Sequence, residues 1–316
     1  MSEGRLRLTI LGGFLGSGKT TWLRHQLHEK AFGPVHVIVN EAANAPVDDA
    51  LLHHADDITL LAGACVCCDG RHDLMAALLK LCNDRSGVAA SALRLESIVL
   101  ETSGLADPAA ILALIQTHPI LIRQIVVTEV IVVVDVQGAL TQLQQEPLSR
   151  KQIESADRLI LTKTDLVHQQ DIDYLRATLN TLAPGAHQSA AQFGNPVTLT
   201  SISQNTRSGP LRDLTDQATA PIHACQLDLG QTVDWTTFTV WLSALLYARG
   251  DQIVRVKGVV RTPAGRLLLQ TVRKSVQSPE ILPDPEAPIS TDNRIAIIGR
   301  GFRSYQIKAS LAQFSA

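Results

Sequence analysis

A doubly wound α/β fold with a mostly parallel sheet, followed by a smaller α+β domain, is what this 316-residue sequence predicts. Three observations carry that reading. Short apolar runs rich in Val, Ile and Leu alternate with helical patterns through the first two thirds of the chain, as strands buried between covering helices should. A glycine-rich turn joins the first of these runs to the first helical pattern. From about Ser203 the texture becomes polar and turn-rich (Gln204-Asn205-Thr206-Arg207-Ser208-Gly209-Pro210), which places a domain boundary between there and Pro221. The expected domains are 1–205 and 221–316.

Taken in order, the expected strands are Leu6–Leu11, Val35–Asn40, Ser97–Glu101, Val130–Asp135, Arg158–Thr162 and Pro196–Thr200. Helices are expected near Thr20–Lys30, His72–Asn83, Pro108–His118 and Gln170–Leu182. Asp107 ahead of Pro108 reads as an N-cap followed by a proline at the first helical position. In the second domain a helix is expected over Trp235–Tyr247. A hairpin of Ile253–Arg261 and Arg266–Arg273 should follow around Pro263-Ala264-Gly265, then a strand near Arg294–Ile298 and a helix near Tyr305–Phe314.

Composition excludes several classes. With 28 Lys+Arg against 30 Asp+Glu the net charge is −2, without the basic surface that nucleic-acid binding normally needs. An apolar content of 45 % is too high for a disordered chain. The most apolar stretch, Ile120 to Val136, is broken by Arg123, Glu129 and Asp135, so no membrane span is expected. The first apolar run ends in Gly12-Gly13 rather than a cleavage site, which argues against a signal peptide. Five cysteines are few and odd for a secreted scaffold, so a reduced, cytoplasmic protein is expected.

Gly13-Phe14-Leu15-Gly16-Ser17-Gly18-Lys19-Thr20 fits the phosphate-loop pattern G-x-x-x-x-G-K-[ST] at every fixed position, between a strand and a helix. Gly13, Gly16, Ser17, Gly18 and Thr21 would cradle phosphates with backbone N–H groups at a helix N-terminus. Lys19 would reach the β- and γ-phosphates and the Thr20 hydroxyl would ligate Mg²⁺. The third glycine of a dinucleotide fingerprint is missing, which disfavours a Rossmann cofactor site. Ile98-Val99-Leu100-Glu101 ends in a carboxylate suited to the Mg²⁺ shell, and Gly104 follows where a backbone N–H could meet the γ-phosphate. Asp135 is the second candidate for that carboxylate.

Thr162-Lys163-Thr164-Asp165 resembles the N-K-x-D guanine-recognition motif with Thr162 in place of Asn. Asp165 could accept both donors on the guanine edge, and the Lys163 stem would lie along the base. Cys65-Val66-Cys67-Cys68 gathers three thiols in one short loop, which suits a soft transition-metal ion. Closed structural zinc sites take four ligands, so a carboxylate could complete this one, and Glu41 after the second strand is the candidate. A Cys65/Cys68 redox pair and simple packing are the alternatives, whereas Cys82 and Cys225 stand alone and read as packing.

These segments, with Val39-Asn40-Glu41 and Glu101-Thr102-Ser103-Gly104-Leu105-Ala106-Asp107-Pro108, occur in an order that resembles the CobW family of P-loop GTPases. Arg255-Val256-Lys257-Gly258 and Ile297-Ile298-Gly299-Arg300-Gly301 resemble that family's C-terminal domain, so the likeness covers nearly the whole chain. The resemblance implies hydrolysis of GTP to GDP and a metallochaperone delivering Zn²⁺ or Co²⁺ to a client metalloprotein or maturation enzyme. It also implies that the C-x-C-C thiols are the metal site. A homodimer is left open. A P-loop kinase for a small metabolite, or a nucleotide-regulated scaffold without metal transfer, are the competing readings.

Overall fold

The computed structural model describes residues 4–41, 57–62, 71–86, 95–202, 207–209, 222–230, 234–250, 252–272, 275–276, 280–282 and 292–314. The chain divides into two compact units, Met1–Asn180 with Ala186–Leu214, and Thr181–Gly185 with Thr215–Ala316.

The first unit runs β1 (Leu6–Gly12), α1 (Lys19–His28), β2 (Val35–Glu41), β3 (Asp57–Ala62), α2 (Arg71–Ser86) and β4 (Ser97–Glu101). It continues with α3 (Pro108–Thr117), α4 (Leu121–Gln124), β5 (Ile125–Asp135), α5 (Ala139–Gln145), α6 (Pro147–Glu154) and β6 (Arg158–Thr162). A single 3₁₀ turn (Thr164–Leu166), α7 (Gln169–Leu182), β7 (His187–Gln192) and β8 (Asn195–Val197) complete it. The sheet has the order β3-β2-β4-β1-β5-β6-β7-β8 and is parallel except for the last pair. β1 therefore lies between β4 and β5, with Leu11 opposite Glu101 on one side and Ile131 on the other.

Burial on both faces explains the continuous apolar runs. Trp22, Leu23 and Leu27 of α1 pack on Leu11, Val37, Val99, Ile131 and Val133, which share one face. Their alternates Ile10, Ile98, Leu100 and Val132 are equally buried, and α3 packs against β1 and β5. Asp107 caps α3 by accepting from Ala109 N at 2.9 Å, with Pro108 in the first turn. The expected strand Pro196–Thr200 is corrected: only Asn195–Val197 is extended, and it folds back antiparallel on β7. β7 itself, His187-Gln188-Ser189-Ala190-Ala191-Gln192, is too polar to read as a buried strand, yet it pairs in parallel with β6.

The second unit holds β9 (Ile222–Asp228), α8 (Trp235–Arg249), β10 (Ile253–Thr262), β11 (Gly265–Val272), β12 (Ser275–Val276), β13 (Glu280–Leu282), β14 (Arg294–Arg300) and α9 (Ser304–Phe314). Its sheet is antiparallel in the order β12-β11-β10-β14-β9, with β13 on β11. Asp234 caps α8 by accepting from Thr237 N at 2.9 Å. Phe238 and Trp241 of that helix, with ring centroids 5.8 Å apart, are buried in one cluster with Cys225, Leu227, Val256, Ile295 and Ile297. Trp241 Nε1 donates to Ser310 Oγ of α9 at 3.1 Å, so the indole keeps its hydrogen bond inside the core.

Cys82 and Cys225 are buried cysteines outside any disulfide. Burial pushes the Cys82 thiol up to about 11, away from thiolate chemistry. Among the described residues, no helix is long and apolar enough to cross a membrane.

Candidate functional site

Parallel strands end on the same edge, so the loops after β1, β4 and β6 and the end of β2 are brought to one edge although they are far apart in sequence. A cleft of about 390 Å³ lies there, lined by Leu15, Gly16, Gly18–Thr21, Val39, Asn40 and the segment Glu101–Gly104.

The phosphate loop has the backbone its glycines permit. Gly16 and Gly18 lie at φ 72° and 89°, and Gly13 at φ 137°. A side chain on Gly13 would also run into the carbonyl of Val133. Lys19, in the first turn of α1, donates from Nζ to Gly13 O at 2.9 Å and Phe14 O at 3.1 Å, spanning its own loop. Ser17 is buried.

Thr20 and Glu101 meet directly. The Thr20 hydroxyl donates to Glu101 Oε1 at 2.6 Å across 81 positions of sequence. Glu101 is only 4 % exposed at the end of β4. A hydroxyl and a carboxylate side by side are hard oxygen donors, and that donor set fits Mg²⁺ beside a phosphate loop. Asp135, the second candidate for this task, is drawn elsewhere: its Oδ2 accepts from Lys163 Nζ at 2.6 Å.

The next segment is fixed to the phosphate loop by close approach. Thr102 donates both its backbone N–H (2.9 Å) and its hydroxyl (3.1 Å) to Leu11 O. A Cβ on Gly104 would sit 2.6 Å from Leu15 N and 2.8 Å from Leu15 Cα, so only glycine fits there. Gln152 of α6, 1 % exposed, donates to Gly104 O at 3.1 Å and Ala106 O at 2.8 Å. Nothing in the sequence singles out Gln152; a lone amide on a short amphipathic helix carries no motif.

At the end of β6, Thr162 donates its hydroxyl to Ser17 O at 2.7 Å and Val134 O at 3.2 Å. The threonine in the asparagine position thus ties the end of β6 to the phosphate loop. Lys163 adopts φ 58°, and its ion pair with Asp135 holds its stem in place. Asp165 is exposed in the 3₁₀ turn, and Gln192 of β7 donates to Thr164 Oγ1 at 3.0 Å to hold that turn against the sheet.

Glu41 ends β2, one residue beyond the cleft-lining Asn40; Cys65, Cys67 and Cys68 lie outside the described residues. Among the described residues, no group of three or more His, Cys, Asp or Glu side chains is placed to hold a metal ion.

A glycine loop between a buried parallel strand and a helix, with a threonine and a carboxylate at its mouth, defines a nucleotide-binding protein of the P-loop class. The chain belongs to a particular branch of that class: residues 7–189 match the family described as CobW/HypB/UreG, nucleotide-binding domain. Residues 222–315 match the Cobalamin synthesis protein cobW C-terminal domain. The sequence is 30 % identical to the zinc chaperone YjiA of Escherichia coli K12, over 97 % of this chain and 98 % of that one. It is 28 % identical to the zinc-regulated GTPase metalloprotein activator 1 of Schizosaccharomyces pombe, over 54 % of this chain and 42 % of that one. The crystal structure of Zn(II)-bound YjiA GTPase from E. coli has the same fold, with a TM-score of 0.61, 22 % identity, and coverage of 99 % of this chain and 100 % of that one.

Proposed function

We propose that this protein hydrolyses GTP with Mg²⁺ and uses the nucleotide state to govern a thiolate site from which zinc passes to a client metalloprotein. The Thr20–Glu101 contact at 2.6 Å carries the reading, because it joins the helix of the phosphate loop to the strand end beside β2. Bound there, Mg²⁺ would neutralise charge on the β- and γ-phosphates. Lys19 would exchange the carbonyls of Gly13 and Phe14 for phosphate oxygens, and the backbone N–H groups of Gly16, Ser17 and Gly18 would surround them. Gly104 would present its N–H to the γ-phosphate, with Gln152 holding its carbonyl side still. Asp165 would select guanine by accepting from both donors on the base edge, with Lys163 alongside.

Glu41 would join Cys65, Cys67 and Cys68 as the fourth ligand. It follows Asn40, which lines the cleft, so movement at the γ-phosphate would have one residue to travel to reach this ligand. Zinc is preferred to cobalt because the relatives that align over this chain include zinc chaperones, and a thiolate-rich set suits it. The second unit would grip the client or regulate the first. Its β9 and β14 bury alternate residues against α8 and α9 and turn Gln226, Asp228 and Arg294 outward.

The test is a GTP and metal pair of titrations. Preference for GTP over ATP should exceed about tenfold, or ~1.4 kcal/mol, and Asp165→Ala should remove it. Replacing Cys67 and Cys68 by Ser should abolish tight Zn²⁺ binding while sparing GTP; unchanged zinc affinity would refute the site.

A further inference from the structure

We infer that Asn40 orients the water that attacks the γ-phosphate, an inference that rests on the reading of this cleft as a GTPase site. Asn40 is 1 % exposed near the end of β2, and among the described residues neither its Nδ2 nor its Oδ1 has a hydrogen-bond partner. Buried amides are almost always satisfied, and one left without partners costs stability that a functional site can justify. Its neighbours show the ordinary case. His36, four residues earlier on the same strand and also buried, bonds Thr59 Oγ1 at 2.8 Å. Thr102 and Thr162, buried at neighbouring strand ends, are both bonded to backbone carbonyls. Asn40 lines the same cleft as Thr102, but among the described residues its amide makes no such bond.

Its place in the sheet says which end of the substrate it serves. Across the strand order β6, β5, β1, β4, β2 come the Thr162–Asp165 segment, Asp135, the phosphate loop, Glu101 and then Asn40. Val39 pairs with Glu101, so Asn40 extends one step further toward the open edge of the phosphates. The base-side motif is at one end of this row and Asn40 at the other, where the terminal phosphate would lie.

The chemistry of an amide fits a water there better than an ion. An anion would use only Nδ2 and a cation only Oδ1, whereas a water beside a phosphoryl group uses both. Oδ1 accepts a hydrogen bond from the water and Nδ2 donates to a γ-phosphoryl oxygen, which fixes the water in line. The water oxygen bonds to the γ-phosphorus while the bond from that phosphorus to the β–γ bridging oxygen breaks, and its electron pair leaves with GDP. One water proton stays on the new P–O–H group and the other passes to a γ-phosphoryl oxygen, giving dihydrogen phosphate. The amide gains and loses no proton, and its neutrality avoids repelling the polyphosphate.

The experiment compares wild type with Asn40→Leu and the smaller Asn40→Ala in Mg²⁺ buffer. It reads affinity for a non-hydrolysable GTP analogue, the single-turnover rate with GTP, and the thermal midpoint without nucleotide. Expected are affinity within about threefold of wild type, a rate lower by about 100-fold, and an Asn40→Leu midpoint at or above that of wild type. A purely structural asparagine would instead lower the midpoint and the affinity together, and that result overturns the inference. A rate within about threefold of wild type in either folded variant overturns it as well. Wild-type protein that does not turn over GTP would sink the GTPase reading and this inference with it; turnover that survives Asn40→Leu would sink this inference alone.

Discussion

β5 and β14 bury their side chains by different rules, and the difference explains where chemistry can gather. In β5 the run Val130–Val134 is buried without interruption, because helices cover both faces of the parallel sheet. In β14 burial alternates, because α8 and α9 provide the core on one face. Parallel strands deliver all their C-terminal ends to one edge, and the first unit places Gly13–Thr21, Asn40, Glu101–Gly104, Asp135 and Thr162–Asp165 there. Antiparallel strands split their ends between two edges, so the second unit can offer a face more readily than a cleft. One unit gathers its strand ends at a single edge, and the other divides them between two.

The contrast can be broken from either side. The largest effect should come from Phe238→Ala, which empties the centre of the second unit and should cost about 4 kcal/mol in denaturant unfolding. Affinity for GTP should be unchanged, and a parallel loss of nucleotide binding would show that the units are not separable in this sense. Lys19→Ala should act the other way, lowering GTP turnover by about 100-fold or more, ~3 kcal/mol, while the unfolding of the second unit stays put.

A smaller effect belongs to Asp292, whose carboxylate takes Arg266 Nε and Nη2 at 2.9 Å each and Arg261 Nε at 2.9 Å. The hydrogen bond from Arg266 holds its carboxyl below the usual range, against the opposing pull of burial. A lowered folded pKa means that the unfolded chain binds the proton more readily. The stabilisation is therefore complete above the unfolded value of about 4 and is lost as pH falls through the folded value. Asp292→Asn should cost about 2 kcal/mol at pH 7, and wild type and variant should converge in acid; a constant gap down to the lowest pH would contradict the assignment. Smallest is Gln152→Ala, about 1 kcal/mol with a fall of only a few-fold in turnover, read by steady-state hydrolysis.

Much of this contrast was legible in the chain. Glycine spacing between a strand and a helix located the phosphate loop, because steric demands on that backbone admit few other residues, and Gly13 bears this out. Asp107-Pro108 marked the start of α3 because a cap and an N1 proline act locally. β7 is not legible in the sequence because its parallel pairing with β6 comes from tertiary context and not from its polar residues. β9 is hard to read because Ile222-His223-Ala224-Cys225-Gln226-Leu227-Asp228 alternates only weakly, although Cys225 and Leu227 are buried in the core. Within the site, Glu101 could be named from a strand-end carboxylate, but its bond to Thr20 depends on strand order. The Lys163–Asp135 pair depends on it equally, since it arises from strands brought side by side, and so does the burial of the Asn40 amide, which has no partner among the described residues.

The central claim is that nucleotide state at the edge of the first sheet governs zinc binding one residue beyond it. Zinc affinity measured by competition with a chromophoric chelator, in Mg²⁺–GTP analogue and in Mg²⁺–GDP, tests it most directly. The account predicts affinities that differ by about tenfold or more, ~1.4 kcal/mol of coupling, with the difference erased by Glu41→Ala. Equal zinc affinity in the two nucleotide states would contradict it.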